Sequence, residues 1–374
     1  MKIDSVALDG LPASPHSVFA CGADMKSRFS FFADGRLHQS EDHGDLSDPP
    51  RLSCFLSDAR AMCDGLGIAP GIVAHDMHPA YYSRLAADLF PGSRRVAVQH
   101  HHAHVAAALA GGSGRNEVIG IAFDGTGYGT DGALWGGEFL AVSPRGWKRC
   151  GHLGYLRMPG GDAAAREPWR MGLSLLHSVM GNAAFDAAVP FDLPAGAAGP
   201  ALAAMLDRGV FSPLTSSCGR LFDAVAAILG IARETQAEAE AAMELERRAA
   251  ASDDGGEYPF EISGGGDGFE AGYGGFVRAM TADIGRGVPA EVVARRFHNG
   301  LSALIVRGAE EIRRARGCAF AALCGGVFGN RLLRETASRM LREAGFTLVD
   351  TPFVPANDLG ICAGQTWVAL HGDE

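Results

Sequence analysis

The sequence predicts an α/β protein of two lobes facing a central cleft, and three observations lead there. Two strand-turn-strand units with glycine-rich turns begin near positions 17 and 118, and each sets its turn where a phosphate can approach the backbone. Residues 290–370 alternate helix, strand, helix, strand, helix, the pattern of a parallel sheet covered by helices. The chain has 374 residues, 47% hydrophobic and 20% charged, so it can bury two cores and has the composition of an ordinary globular protein.

Taken in order, 17–22 and 28–34 read as a hairpin with its turn at 22–26. Positions 52–66 and 80–89 read as helices on either side of a short buried strand, 71–76. A strand at 96–99 leads into an alanine-rich helix, 100–110. The apolar run Val118-Ile119-Gly120-Ile121-Ala122-Phe123 ends at Asp124-Gly125-Thr126-Gly127, and 133–142 and 147–155 complete a meander. Helices are expected from 168 onward, at 195–206, 220–230 and 235–251. The Gly- and Asp-rich stretch 252–275 reads as loop with one short strand, 258–262. The last unit is helix 290–315, strand 319–324, helix 330–344, strand 347–350 and helix 360–370.

Neither glycine-rich turn runs straight into a helix, as a doubly wound dinucleotide fold requires. Two such hairpins opposed across a cleft are the plan of the actin/Hsp70-like (ASKHA) ATPases, here with lobes at 1–116 and 117–374. The net charge of -10, with no run of lysine or arginine, excludes a nucleic-acid backbone as the main partner. The eight cysteines are scattered without a CxxC pair, and no apolar segment approaches the roughly 20 residues of a membrane span. A reduced, cytoplasmic protein without a signal peptide is expected.

The sharpest local signal is Gln99-His100-His101-His102-Ala103-His104. On a helix, His100 and His104 share one face at chelating distance. A single histidine there would read as packing; four in five positions after a buried strand point to a divalent metal. Asp124, ending a buried strand, and Asp358, just before a helix, are candidates to complete the ligand set, although each alone reads as a turn or cap residue. Such a site suits polarising a phosphoryl or acyl oxygen. Gly325 and Gly326 sit at a strand-to-helix junction where backbone amides approach a nucleotide closely, a pattern ordinary tight turns share. Asp223, entering a helix after Ser216-Ser217, has the chemistry to hold ribose hydroxyls, and Arg166 and Arg170 flank Trp169 as an anion site or a surface patch.

Together these strings resemble the C-terminal carbamoyltransferase domain of the HypF family of hydrogenase maturation proteins. The resemblance runs from Cys21 to Gln365 through Gly22-Ala23-Asp24-Met25-Lys26, Asp76-Met77-His78-Pro79, the histidine cluster, 123–138, 159–170, 216–223, 325–330 and 357–365. It implies the ASKHA fold and a metal, iron or zinc, held by His100, His104, Asp124 and Asp358. It also implies ATP or carbamoyladenylate, with Mg as a further cation, bound by Asp223, Gly325, Gly326 and Asn330. His100, His104 and Lys26 are then the catalytic residues. The implied reaction moves a carbamoyl group, derived from carbamoyl phosphate, to the C-terminal cysteine thiol of a HypE-type acceptor for cyanide ligand synthesis. Direct hydrolysis of carbamoyl phosphate and a non-catalytic docking module are the alternatives. The chain reads as a short stand-alone form. It departs from the family at Ser40-Glu41-Asp42-His43-Gly44-Asp45-Leu46 and at Ala237-Glu238-Ala239-Glu240, where the family has Ser-Gln-His-x-Gly-Asp-Leu and Tyr-Glu-Gly-Gln.

Overall fold

The computed structural model describes residues 3–12, 14–112, 117–187, 199–265, 268–349 and 354–372. The first sheet holds β1 (Ile3–Val6), β2 (Val18–Ala20), β3 (Ser30–Ala33), β4 (Arg36–Ser40), β5 (Ile72–Asp76) and β6 (Arg94–Val98), in the order β1-β4-β3-β2-β5-β6. Strands β4, β3 and β2 run antiparallel, while β2, β5 and β6 run parallel. The second sheet repeats that pattern. Its β7 (Val118–Tyr128), β8 (Leu134–Ser143) and β9 (Gly146–Leu153) form an antiparallel meander. Next come β10 (Leu156–Arg157), β11 (Leu214–Thr215), β12 (Glu261–Gly265), β13 (Gly268–Gly272), β14 (Phe320–Cys324) and β15 (Thr347–Leu348). Here β14 pairs parallel with both β7 and β15. Two sheets, each an antiparallel trio extended by two parallel strands, are the duplicated core of the expected ASKHA plan.

The helices are α1 (Pro49–Leu66), α2 (His100–Ala110), α3 (Ala163–Arg166), α4 (Pro168–Met180), α5 (Gly199–Arg208), α6 (Cys218–Ile228), α7 (Glu240–Ala250), α8 (Gly274–Gly285), α9 (Ala290–Arg316), α10 (Arg331–Glu343) and α11 (Ile361–His371). Every residue of α2 is buried, because the helix is sandwiched between the sheets beside α11. Gly364 permits that pairing: a Cβ there would fall 1.9 Å from the Ala103 carbonyl oxygen. Helix α1 covers the outer face of the first sheet, and α4, α6 and α9 cover the second. Among the described residues no helix is long and apolar enough to cross a membrane.

Four expectations are corrected. The expected helix at 80–89 is a 3-10 segment, Tyr82–Leu89. The helix expected at 235–251 begins at Glu240, after Ala239 adopts a left-handed conformation. The stretch 252–275 holds a hairpin of β12 and β13, and α8 starts at its end. Strands β1 and β4 extend the first sheet beyond the expected hairpin. Residues 195–198 of an expected helix, position 350 of an expected strand, and the segment 113–116 at the expected lobe boundary lie outside the described residues.

Candidate functional site

The site begins at the N-terminus of α2. Gln99 caps it, its Oε1 accepting from the His102 N–H at 2.8 Å. This fixes the first turn and sets the His100 and His104 rings 4.9 Å apart on one face. Asp76, fully buried at the end of β5, lies 2.8 Å from His100 Nδ1. A carboxylate accepts there, so Nδ1 carries a proton and Nε2 is the nitrogen that faces the cluster.

Strand β7 delivers Asp124. Its Oδ1 accepts from the Gly125 and Gly326 amides at 2.8 and 3.0 Å, which leaves Oδ2 for the histidines. Ser217 Oγ, the cap of α6, lies 2.6 Å from the Gly125 carbonyl oxygen and anchors the same turn. Asp358 arrives at the 3-10 turn that starts α11, itself capped by Asn357. Asp124 Oδ2 is 3.1 Å from His104 Nε2 and 3.4 Å from His100 Nε2. Asp358 Oδ1 is 3.4 and 3.9 Å from the same nitrogens.

One ligand atom from each of these four side chains lies within 4.8 Å of the others. His100 Nε2 is buried and has no hydrogen-bond partner among the described residues. Two imidazoles and two carboxylates around such an orphaned nitrogen fit a divalent transition metal. Burial pulls the His100 pKa down, but the Asp124 and Asp76 carboxylates outweigh it and hold the ring well above its usual range. His104 is raised in the same way, against its burial, by Asp124 and Asp358. Burial alone would raise Asp124; the two imidazoles hold it well below a normal carboxylate. His101 and His102 stay out of the cluster, and burial lowers both, His102 to about 3. His102 instead stacks on Trp147 at 5.4 Å.

Asp124 also lines a cavity of about 410 Å³, with Lys26 from the first hairpin and Asp223, Gly326 and Asn330 from the second lobe. That volume is in the range of small-molecule sites. Asp223, midway along α6, pairs with Arg220 at 2.9 Å, and burial raises its pKa against that pairing. Gly325 does not line the cavity. Its φ is +95°, and a Cβ would fall 2.2 Å from the Phe123 carbonyl oxygen, so it allows β14 to turn tightly against β7. Lys26 Nζ pairs with Glu238 at 2.8 Å across the cavity mouth. Burial works against the ammonium, and the bond to Glu238 more than compensates, raising its pKa.

Arg166 and Arg170 border a separate, more open hollow that holds none of the four clustered side chains, and Arg170 is bound to Glu167 at 2.8 Å. Sequence reasoning assigned no role to Asp76, or to Glu238, Ala239 and Glu246 on the cavity wall. The polar end of the short strand 72–76 was the available signal for Asp76.

The family model described as "HypF Kae1-like domain" matches residues 13–111, and "Carbamoyltransferase, Kae1-like Domain, second subdomain" matches 120–365. A carbamoyltransferase HypF homolog of Cupriavidus necator is 39% identical, over 96% of this chain and 94% of its own length. The carbamoyltransferase HypF of Rhizobium leguminosarum bv. viciae is 37% identical over 95% of this chain, which spans 45% of that relative. A crystal structure of full-length HypF in its phosphate- and nucleotide-bound form superposes with a TM-score of 0.88 at 31% identity, covering 95% of this chain and 55% of that one.

Proposed function

This chain belongs to the HypF family of carbamoyltransferases, and we propose that it transfers a carbamoyl group from carbamoyladenylate to a cysteine thiol in [NiFe]-hydrogenase maturation. One observation carries the reading: Asp124 belongs both to the four-residue cluster and to the wall of the 410 Å³ cavity. A nucleotide in the cavity would therefore direct its acyl phosphate end at the cluster. His100, His104, Asp124 and Asp358 would hold the metal, whose chemistry is to polarise the carbamoyl oxygen.

The chain's own groups do the rest. Asp223 accepts from ribose hydroxyls, and the Gly326 and Asn330 junction lies along the nucleotide. Lys26, freed from Glu238, offers its ammonium to the phosphate. The acceptor sulfur forms its bond to the carbamoyl carbon as the bond from that carbon to the phosphate oxygen breaks. AMP leaves, and the thiol proton passes to solvent. The acceptor is a HypE-type protein ending in cysteine, the ultimate donor is carbamoyl phosphate, and the setting is the cytoplasm, where thiols stay reduced. The lobe boundary near 116–117 is part of the same reading.

The test is intact-mass analysis of a cysteine-ending acceptor protein after incubation with metal-loaded chain and carbamoyladenylate. One carbamoyl added at the terminal cysteine supports the reading. An unmodified acceptor while the adenylate is consumed turns the assignment to hydrolysis.

A further inference from the structure

His298, in α9, is fully buried and touches Asn330, which lines the cavity. Its Nδ1 lies 2.8 Å from the Ala294 carbonyl oxygen. A carbonyl only accepts, so Nδ1 carries the proton and Nε2 presents a lone pair. That lone pair faces Asn330 Nδ2 at 3.0 Å. On the other side, Asn330 Oδ1 accepts from the Leu333 N–H at 2.8 Å, the capping bond of α10. Flipping the amide would set oxygen against the His298 lone pair and N–H against N–H, losing both bonds. The Asn330 side chain therefore has one orientation, with one Nδ2 hydrogen spent on His298 and the other without a partner among the described residues.

We infer that His298 is a positioning residue: it locks the Asn330 amide so that this corner of the cavity offers an N–H donor and takes a ligand acceptor atom, such as a ribose or phosphate oxygen. The inference rests on the nucleotide reading of the cavity. The surroundings keep the ring in the required form. Phe222 and Phe297 pack against it at centroid distances of 5.3 and 5.6 Å, and Phe222 also lines the cavity. Burial, helped by the Arg295 charge, lowers its pKa to about 4, so the imidazole is neutral in the cell.

Calorimetric titration of ADP into the full metal-loaded chain tests this. His298→Phe keeps a ring but removes the acceptor, and weakens ADP binding about tenfold with metal content unchanged. His298→Gln can accept from Asn330 through Oε1 and recovers most of the affinity. Unaltered affinity in His298→Phe overturns the inference, and so does equal weakening in both variants, which would make His298 plain core packing. If the wild-type chain binds no ADP, the nucleotide reading itself falls and takes the inference with it. Should the variants not fold, nitrogen NMR of the wild type decides: protonated Nδ1 with bare Nε2 is expected, and the opposite tautomer overturns the inference.

Discussion

The His100–His104–Asp124–Asp358 cluster and the cavity mouth meet at Asp124 and are built on opposite terms. In the cluster, the His100 and His104 side chains are 1% exposed and Asp124 is 10% exposed. His100 and Asp124 are further anchored from behind, by Asp76 and by the Gly125 and Gly326 amides. At the mouth, the Lys26 and Glu238 side chains are 36% and 56% exposed and bind only across open space. Beside them Ala239 is left-handed, φ +59°, a conformation that glycine adopts without strain. A buried, hydrogen-bonded site holds its geometry before its ligand arrives, whereas an exposed ion pair is worth little and can open. The chain thus joins a rigid, buried cluster to a mouth that can rearrange.

The largest effect expected from breaking this contrast is at a ligand. His104→Ala should strip the cluster of tight metal and abolish carbamoyl transfer while nucleotide binding persists; elemental analysis and a transfer assay check both. A retained stoichiometric metal would place the ion elsewhere. Next comes Asp76→Asn, which keeps the fold but loses the carboxylate behind His100. Metal affinity should fall roughly ten- to hundredfold, read by competition with a chelator.

A third effect concerns the neutral histidine under the cavity. The folded pKa of His298, about 4, is depressed from the ordinary 6.5. The unfolded chain therefore binds the extra proton first as pH falls. Its contribution is whole above pH 6.5 and is lost on descending from there to about 4. Urea unfolding across that window should show wild type losing about 3 kcal/mol more than His298→Phe. Parallel curves would show that the ring is not held neutral. The smallest effect is at the mouth. A left-handed alanine costs about 1 kcal/mol, part of which the freer unfolded glycine takes back. Ala239→Gly should raise stability by less than about 1 kcal/mol in the same experiment, and a loss would mean that Ala239 is not strained.

These contrasts also separate what was legible in the sequence from what was not. His100 and His104 were legible because helical spacing alone puts them on one face. Asp124 was legible as a carboxylate ending an apolar run and Asp358 as one just before a helix, but their meeting depends on α11 lying against α2 through Gly364, a long-range contact. Asp76 gave no sign of its partner, since strand β5 and helix α2 come together only through the sheet. The stretch 235–239 has helical composition, yet tertiary bonds prevail there: Thr235 N–H to the Arg166 carbonyl at 2.9 Å, and Lys26 to Glu238. The pair Gly274-Gly275 hid the start of α8, because glycine is a poor helix former. The duplicated sheet plan was visible as two glycine-rich hairpins, while the mostly polar β1 and β4 had too few apolar residues to stand out.

The most direct measurement of the central claim is AMP release from carbamoyladenylate by the metal-loaded chain, with and without a cysteine-ending acceptor protein. The account predicts release that depends on the acceptor thiol and disappears in His104→Ala. Equally fast release without the thiol would contradict it, making water the acceptor and this chain a hydrolase.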